Sequence, residues 1–119
     1  MSRTARQQLG QWGEDWACSL LQEAGYELLA RNYRVPGRGE LDLVLRRAGA
    51  VYAFEIKLRR SGQEASEQLL SPRQQHNIKL CLERFLQERN WMDAPRYYYL
   101  LGLFYGPSGD LLDYDLEAF

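Results

Sequence analysis

The sequence has little cysteine, a single histidine and no long hydrophobic run, and each shortage argues against a class of protein. Cys18 and Cys81 are the only cysteines and lie far apart, so neither a disulfide framework nor a zinc site is indicated. We expect them to be small core side chains on helices. His76, the only histidine, is predicted to be a surface residue and not a general base.

Hydropathy argues against a membrane protein. No apolar run approaches the roughly 20 residues that cross a bilayer. Residues 1–15 lack the apolar core of a signal peptide. The sequence therefore predicts a cytoplasmic protein without a membrane partner, and its 119 residues predict one domain over 1–119.

The charges are unevenly distributed, although the formal net charge is only −1. Residues 31–60 carry eight basic and three acidic side chains, a net charge of +5, whereas residues 91–119 carry a net charge of −4. A basic half that faces an anionic ligand is one interpretation, and a lopsided solvated surface is the other.

Hydrophobic periodicity and turn residues predict an α/β fold in the order helix, three strands, helix, strand and a last edge strand. The predicted elements are a helix from Thr4 to Ala24, strands from Tyr26 to Arg34, Glu40 to Arg46 and Val51 to Leu58, a loop from Ser61 to Leu70, a helix from Ser71 to about Asn90, a strand from Arg96 to Tyr105, and a strand within residues 111–119. The helix faces predicted to point inward are Leu9, Trp12, Trp16, Leu20 and Ala24 in the first helix, with Leu21 beside them, and Ile78, Leu82, Phe85 and Leu86 in the second.

Three charges stand at strand positions where Val or Thr would be ordinary. Alternation places Glu55 and Lys57 on one face of their strand, opposite Phe54 and Ile56. The same rule places Glu40, Asp42 and Val44 opposite Leu41, Leu43 and Leu45, so we expect the large apolar side chains of both strands to build one core face. If the two strands pair as a hairpin, Asp42 and Glu55 come within reach of a common ion.

Two neighbouring carboxylates repel, and a divalent cation compensates that repulsion well. Mg²⁺ prefers carboxylate and carbonyl oxygens, keeps several waters and accepts phosphate oxygens, and Mn²⁺ can replace it. Asp42, Glu55 and the backbone carbonyl of Ile56 are candidate ligands, with Lys57 beside an attacking water. Arg38, Arg59 and Arg60 are candidate phosphate contacts. Spacing alone leaves a solvated charged face as the alternative.

The chain also resembles a known family in four ordered stretches. These are GEDWA from Gly13, GYELLARNYR from Gly25, GELDLV from Gly39 and FEIKLR from Phe54, with SPRQQ from Ser71 matching less well. An Asp on one strand followed by Glu-x-Lys on the next resembles the core of the PD-(D/E)xK nucleases. More narrowly, the chain resembles the YraN-like family of small bacterial predicted nucleases, which is related to archaeal Holliday-junction resolvases.

The resemblance implies a restriction-endonuclease-like fold, with a central mixed sheet of four or five strands flanked by helices. It implies that Asp42 and Glu55 bind Mg²⁺, that Lys57 is the catalytic lysine, and that Glu14 adds a carboxylate from the first helix. Gln75 would be a polar helix residue near the site. Gln74 and Leu58 depart from the family pattern, where a lysine and a Thr or Ser are usual, and this bears on substrate affinity more than on chemistry.

Two functions follow from these expectations. The first is an endonuclease that hydrolyses DNA phosphodiester bonds in branched or structured DNA. The second is a catalytically inactive module on the same fold that binds nucleic acid or a protein. Because related resolvases cut two strands with two sites, the resemblance also allows a homodimer, although no stretch of the sequence specifies an interface.

Overall fold

The computed structural model describes residues 4–60 and 70–119, which form two helices and a five-stranded mixed sheet. In chain order the elements are α1 (Ala5–Glu23), β1 (Glu27–Val35), β2 (Gly39–Arg47), β3 (Ala50–Arg60), α2 (Pro72–Glu88), β4 (Arg96–Tyr105) and β5 (Leu111–Ala118). This confirms the predicted α/β fold and its element order. The loop predicted from Ser61 to Leu70 lies outside the described residues, except for the buried Leu70.

The strands lie in the sheet in the order in which they occur in the chain. Pairing is antiparallel except between β3 and β4, which are parallel and are connected through α2. β4 therefore lies between β3 and β5, which agrees with its prediction as a well-covered strand, and β5 is the predicted edge strand. No helix of the described residues is long and apolar enough to cross a membrane.

Local sequence signals fix the C-terminal end of α1 and the N-terminal end of α2. Gly25 follows α1 with φ +95°, a conformation that favours glycine, and the Tyr26 N–H bonds back to the Leu21 carbonyl at 3.0 Å. Ser71 caps α2: its hydroxyl accepts from the Gln74 N–H, while the Gln74 side chain accepts from the Ser71 N–H. These two helices cover opposite faces of the sheet.

The sheet has a core on each face, and the large apolar side chains of β2 and β3 share the face toward α1 as predicted, with the exception of Leu41. Toward α2 the buried cluster is Leu41, Val44, Val51, Ala53, Leu70, Ile78, Cys81, Leu82, Phe85, Leu86 and Leu100. Toward α1 it is Ala17, Cys18, Leu21, Leu43, Leu45, Phe54, Leu101 and Leu103. The predicted inner face of α2 is confirmed, and both cysteines are buried and free as expected.

Leu41 does not share a face with Leu43 and Leu45, although strict alternation predicted that it would. It packs in the α2 cluster, whereas Leu43 and Leu45 pack in the α1 cluster. Alternation is therefore broken between Leu41 and Leu43, at Asp42. The same happens in β1, where Tyr33 packs toward α2 and Arg31 pairs with acids of α1.

The inner face of α1 is displaced from the predicted stripe. Its buried residues are Gly13, Ala17, Cys18 and Leu21, while Trp12 and Trp16 are half-buried and Ala24 is exposed. A Cβ atom on Gly13 would lie 2.9 Å from Leu58 Cδ2, so glycine allows the helix to approach β3 closely. Bulky residues at the centre of this contact would hold the helix away.

We expect alanine substitutions at the two glycines of α1 to have opposite effects on stability. Gly10→Ala places the methyl group where no atom lies within 4 Å, so improved helix propensity should raise the free energy of unfolding by about 0.5–1 kcal/mol. Gly13→Ala forces Leu58 and Leu103 aside and should lower it by about 1–3 kcal/mol. Urea unfolding measures both, and an equal gain at Gly13 would contradict the close helix–sheet contact.

Candidate active site

The site begins where β2 and β3 stop pairing. Their ladder runs from Arg47↔Ala50 to Leu43↔Phe54, and the next residues along are Asp42 and Glu55. The Asp42 Oδ2 atom instead accepts a hydrogen bond from the Ile56 backbone N–H at 2.8 Å. The carboxylate of Asp42 therefore lies in the fork between the two strands.

Asp42 and Glu55 meet in this fork, as the sequence predicted. Burial, followed by the hydrogen bond that a protonated Glu55 can donate to Asp42 and by the negative charge of Asp42, raises the pKa of Glu55 from 4.5 to about 10, while Lys57 acts in the opposite direction. Without a cation the protonated form of Glu55 is therefore favoured, and its proton can be shared with Asp42.

The helix α1 contributes Glu14 to the same region. Burial raises the pKa of Glu14, and the charge of Asp42 adds to that increase. Arg31 opposes it from β1, with one guanidinium nitrogen 4.0 Å from Glu14 and another 2.8 Å from Asp15. Glu14 is therefore brought to Asp42 as the resemblance implied, and its carboxylate has a cationic neighbour.

A cleft of about 610 Å³ lies on the α1 side of Asp42. Acidic and amide side chains dominate its lining, which consists of Gly10, Gln11, Glu14, Asn32, Glu40, Asp42, Ile56 and Leu58. Glu40, which alternation placed beside Asp42, lies at this cleft as well as at the next one. The acidic cleft suits a cation or a neutral group more than a phosphate.

A second cleft of about 220 Å³ lies on the α2 side, and we call it the basic cleft because Arg38 and Lys57 line it, although Glu40 and Glu55 balance their charges. It is lined by Arg38, Gly39, Glu40, Glu55, Lys57, Leu70, Gln74, Asn77 and Ile78. Lys57 thus shares a cleft with Glu55, and Arg38 enters it from the turn before β2. The two clefts therefore differ in charge, because the first carries three carboxylates and no cation while the second carries two cations, two carboxylates and two amides.

The donor chemistry of the fork fits a magnesium ion. Within residues 4–60 and 70–119 no three His, Cys, Asp or Glu side chains are already gathered around one point. Mg²⁺ does not need such a cage, because it is commonly held by one or two carboxylates together with waters and substrate oxygens. Asp42 and Glu55 supply that minimum, and a cation would take the place of the proton between them.

The candidate phosphate contacts differ in position. Arg38 and Arg60 are exposed, whereas Arg59 is only 7% exposed and therefore offers little surface to a phosphate. The Gln75 side chain donates to the Leu70 carbonyl at 3.2 Å and does not line either cleft. Its neighbour Gln74 lines the basic cleft instead.

Sequence reasoning missed three residues at the site. Asn32 lines the acidic cleft, Asn77 lines the basic one, and Arg31 pairs with Glu14. Asn32 has φ +52°, and an asparagine between charged and aromatic residues of a strand was a signal that could have been followed. Asn77 gave no signal, since a polar residue on an exposed helix turn is ordinary.

Comparison with known proteins places the chain among proteins without an established role. Residues 13–100 match the model of the "Uncharacterised protein family UPF0102", and this stretch contains Glu14, Asp42, Glu55 and Lys57. A UPF0102 protein of Acinetobacter baumannii (strain AYE) is 42% identical over 83 residues, which cover 68% of this chain and 61% of that protein. The match therefore spans about three fifths of the length of that relative.

Two further relatives are covered more fully. A UPF0102 protein of Syntrophomonas wolfei is 35% identical over 92 residues, 76% of this chain and 75% of its own length. A UPF0102 protein of Herminiimonas arsenicoxydans is 36% identical over 99 residues, 80% of this chain and 77% of its own. The similarity therefore extends over most of both chains.

We expect the stability of the metal-free protein to fall with rising pH because of Glu55. Its pKa is raised in the folded state, so its contribution to the free energy of unfolding is complete below pH 4.5 and is lost as the pH rises toward about 10. Glu55→Gln removes this loss. The variant should gain stability over wild type with increasing pH, by no more than about 1.4 kcal/mol per pH unit.

Urea unfolding of both proteins at several pH values measures this difference. Glu117→Gln, which removes a carboxyl group at an exposed position of β5, is the matched control. A constant difference between Glu55→Gln and wild type would contradict the shared proton.

Proposed function

The chain belongs to the uncharacterised protein family UPF0102, and we propose that it is a metal-dependent endonuclease that hydrolyses DNA phosphodiester bonds. The observation that carries the proposal is the meeting of Asp42 and Glu55 in the fork between β2 and β3, with Lys57 in the adjoining cleft. Two carboxylates and a lysine at the end of paired strands are suited to phosphoryl chemistry. Branched or structured DNA is the substrate class implied by the resemblance.

Asp42, Glu55 and the Ile56 carbonyl would hold the Mg²⁺ ion, and Glu14 would support them from α1. When bound, Mg²⁺ supplies charge neutralisation at the phosphodiester and a more acidic water. Asp42 is already oriented for this task, because the Ile56 N–H fixes one of its oxygens and leaves the other available. The ion would also remove the repulsion between the carboxylates.

Hydrolysis adds water across the phosphodiester. The water oxygen bonds to phosphorus, the bond to the leaving sugar oxygen breaks, and a proton of the water ends on that oxygen. Lys57 is placed to hold the attacking water or the charge that develops on the phosphate, because its ammonium group shares the basic cleft with Glu55. Arg38 can bind a phosphate oxygen at the same cleft.

The charge distribution supports an anionic partner on the β1–β3 side of the sheet. Exposed arginines there are Arg34, Arg38, Arg46, Arg47 and Arg60. The far edge, in contrast, carries Asp113, Asp115 and Glu117, all exposed. A DNA backbone would therefore be attracted to β1–β3 and repelled by β5. A homodimer remains a proposal from the resemblance alone.

A second candidate is a module that binds nucleic acid or a protein without cutting. It is favoured by Gln74, which lines the basic cleft at the position where the family pattern has a lysine. In that case the arginines would provide affinity, and Lys57 would have no special role.

We expect cleavage of branched DNA in Mg²⁺ or Mn²⁺ by the wild-type protein. Asp42→Asn, Glu55→Gln and Lys57→Ala should each lower the cleavage rate at least about 100-fold, since each removes a charge that acts in the reaction. Lys79→Ala, at the chain's other lysine, is the matched control and should retain wild-type cleavage. DNA affinity of the same variants is measured by fluorescence anisotropy.

The two candidate functions give different results. The endonuclease predicts that Lys57→Ala binds DNA but does not cut it. Binding by every variant without cleavage by wild type would support the second candidate, and cleavage by Asp42→Asn at the wild-type rate would contradict the proposed ligands.

A further inference from the structure

Asn32 adopts a backbone conformation that few residues tolerate. It lies on β1, the strand that pairs with the Asp42 strand β2. Its φ is +52°, in the left-handed region where asparagine is enriched among non-glycine residues. Its neighbours Arg31 and Tyr33 pair with Leu43 and Leu41, so Asn32 lies opposite Asp42. In both β1 and β2, the alternation of side chains between the two faces of the sheet is broken at Asn32 and Asp42. The left-handed backbone of Asn32 accounts for the change of direction in β1.

The Asn32 carboxamide joins two carboxylates from different elements. Both neighbouring carboxylates can only accept, so the amide orientation is assigned with the nitrogen toward them, where it donates to Glu14 Oε1 at 2.9 Å and to Glu40 Oε1 at 2.9 Å. Both N–H groups of the amide are thereby used. Glu14 belongs to α1 and Glu40 to β2, so one side chain ties the helix to the strand that carries Asp42.

Without the Asn32 amide, repulsion between the acids would drive the carboxylates of Glu14 and Glu40 apart. Glu14 experiences repulsion from both Asp42 and Glu40. Arg31 provides attraction on the opposite side of Glu14, but it is shared with Asp15 at 2.8 Å. The Asn32 amide is the neutral donor that can approach both acids without competing with a cation for the site.

We propose that Asn32 is a positioning residue, which holds the carboxylates of Glu14 and Glu40 beside Asp42 in the acidic cleft. The role rests on the proposed function in so far as it serves metal binding. The left-handed backbone aims the amide, and the amide orients the acids. Groups of this kind around a metal site typically change affinity or activity 10- to 100-fold when removed.

The first test needs neither metal nor DNA. NMR spectra record the two side-chain amide protons of Asn32, assigned by their loss in Asn32→Asp. We expect these signals to move and to exchange faster with solvent in Glu14→Ala and in Glu40→Ala. Glu23→Ala, at an exposed position of the same helix, should leave them unchanged. Unchanged Asn32 signals in both site variants would overturn the proposal.

The second test measures the Mn²⁺ concentration that gives half-maximal DNA cleavage. Asn32→Gly keeps the backbone tolerance and removes the amide, so it should raise the required Mn²⁺ at least about tenfold. Asn32→Asp is not used in this test, because it adds a carboxylate that can itself attract the cation. Asn90 provides the matched control, because it also has a positive φ, +58°, and lines neither cleft.

The outcomes separate this role from the proposed function. Cleavage by Asn32→Gly with the wild-type Mn²⁺ requirement would overturn the positioning role and leave the endonuclease standing. Absence of cleavage by the wild type would remove the endonuclease, and the NMR result would then decide whether Asn32 orients the two acids. Asn90→Gly should behave as wild type in either case.

Discussion

The hydrogen bond from the Ile56 backbone N–H to the Asp42 carboxylate occupies the place where the next step of the β2–β3 ladder would stand. A side chain thus satisfies a backbone donor that would otherwise be left unpaired at the end of the ladder. The two strands no longer pair beyond Leu43 and Phe54, and Asp42 and Glu55 are the next residues at the opening that this leaves. Both clefts and every candidate ligand are arranged around that opening.

The arrangement has an electrostatic cost that the surroundings must offset. Two carboxylates about 5 Å apart repel by about 3 kcal/mol at an effective dielectric constant of 20. Near Asp42 the compensation comes from a proton on Glu55, from Arg31 through Glu14, and from Lys57. A divalent cation would compensate this repulsion more completely than any of these groups. A metal site is therefore the simplest explanation of the cluster.

Periodicity predicted most of the fold, because helix and strand spacing and the Gly25 and Ser71 signals depend on local physics. The meeting of Asp42 and Glu55 was also predictable, since a short hairpin fixes the register. Non-local contacts were not. The inner face of α1 depends on how closely Gly13 approaches Leu58, and the side taken by Leu41 depends on an irregularity shared by two strands. Likewise, no pattern distinguishes a buried Arg59 from an exposed Arg60.

The proposed function depends on the binding of a divalent cation by Asp42 and Glu55 in the fork between β2 and β3. Isothermal titration calorimetry of Mn²⁺ into the wild type and into Asp42→Asn measures that binding. Asparagine can still accept the Ile56 hydrogen bond, so this contact is kept while one charge is lost. We expect specific binding by the wild type and its loss in Asp42→Asn. Equal binding by both proteins, or none by the wild type, would show that these two residues are not metal ligands.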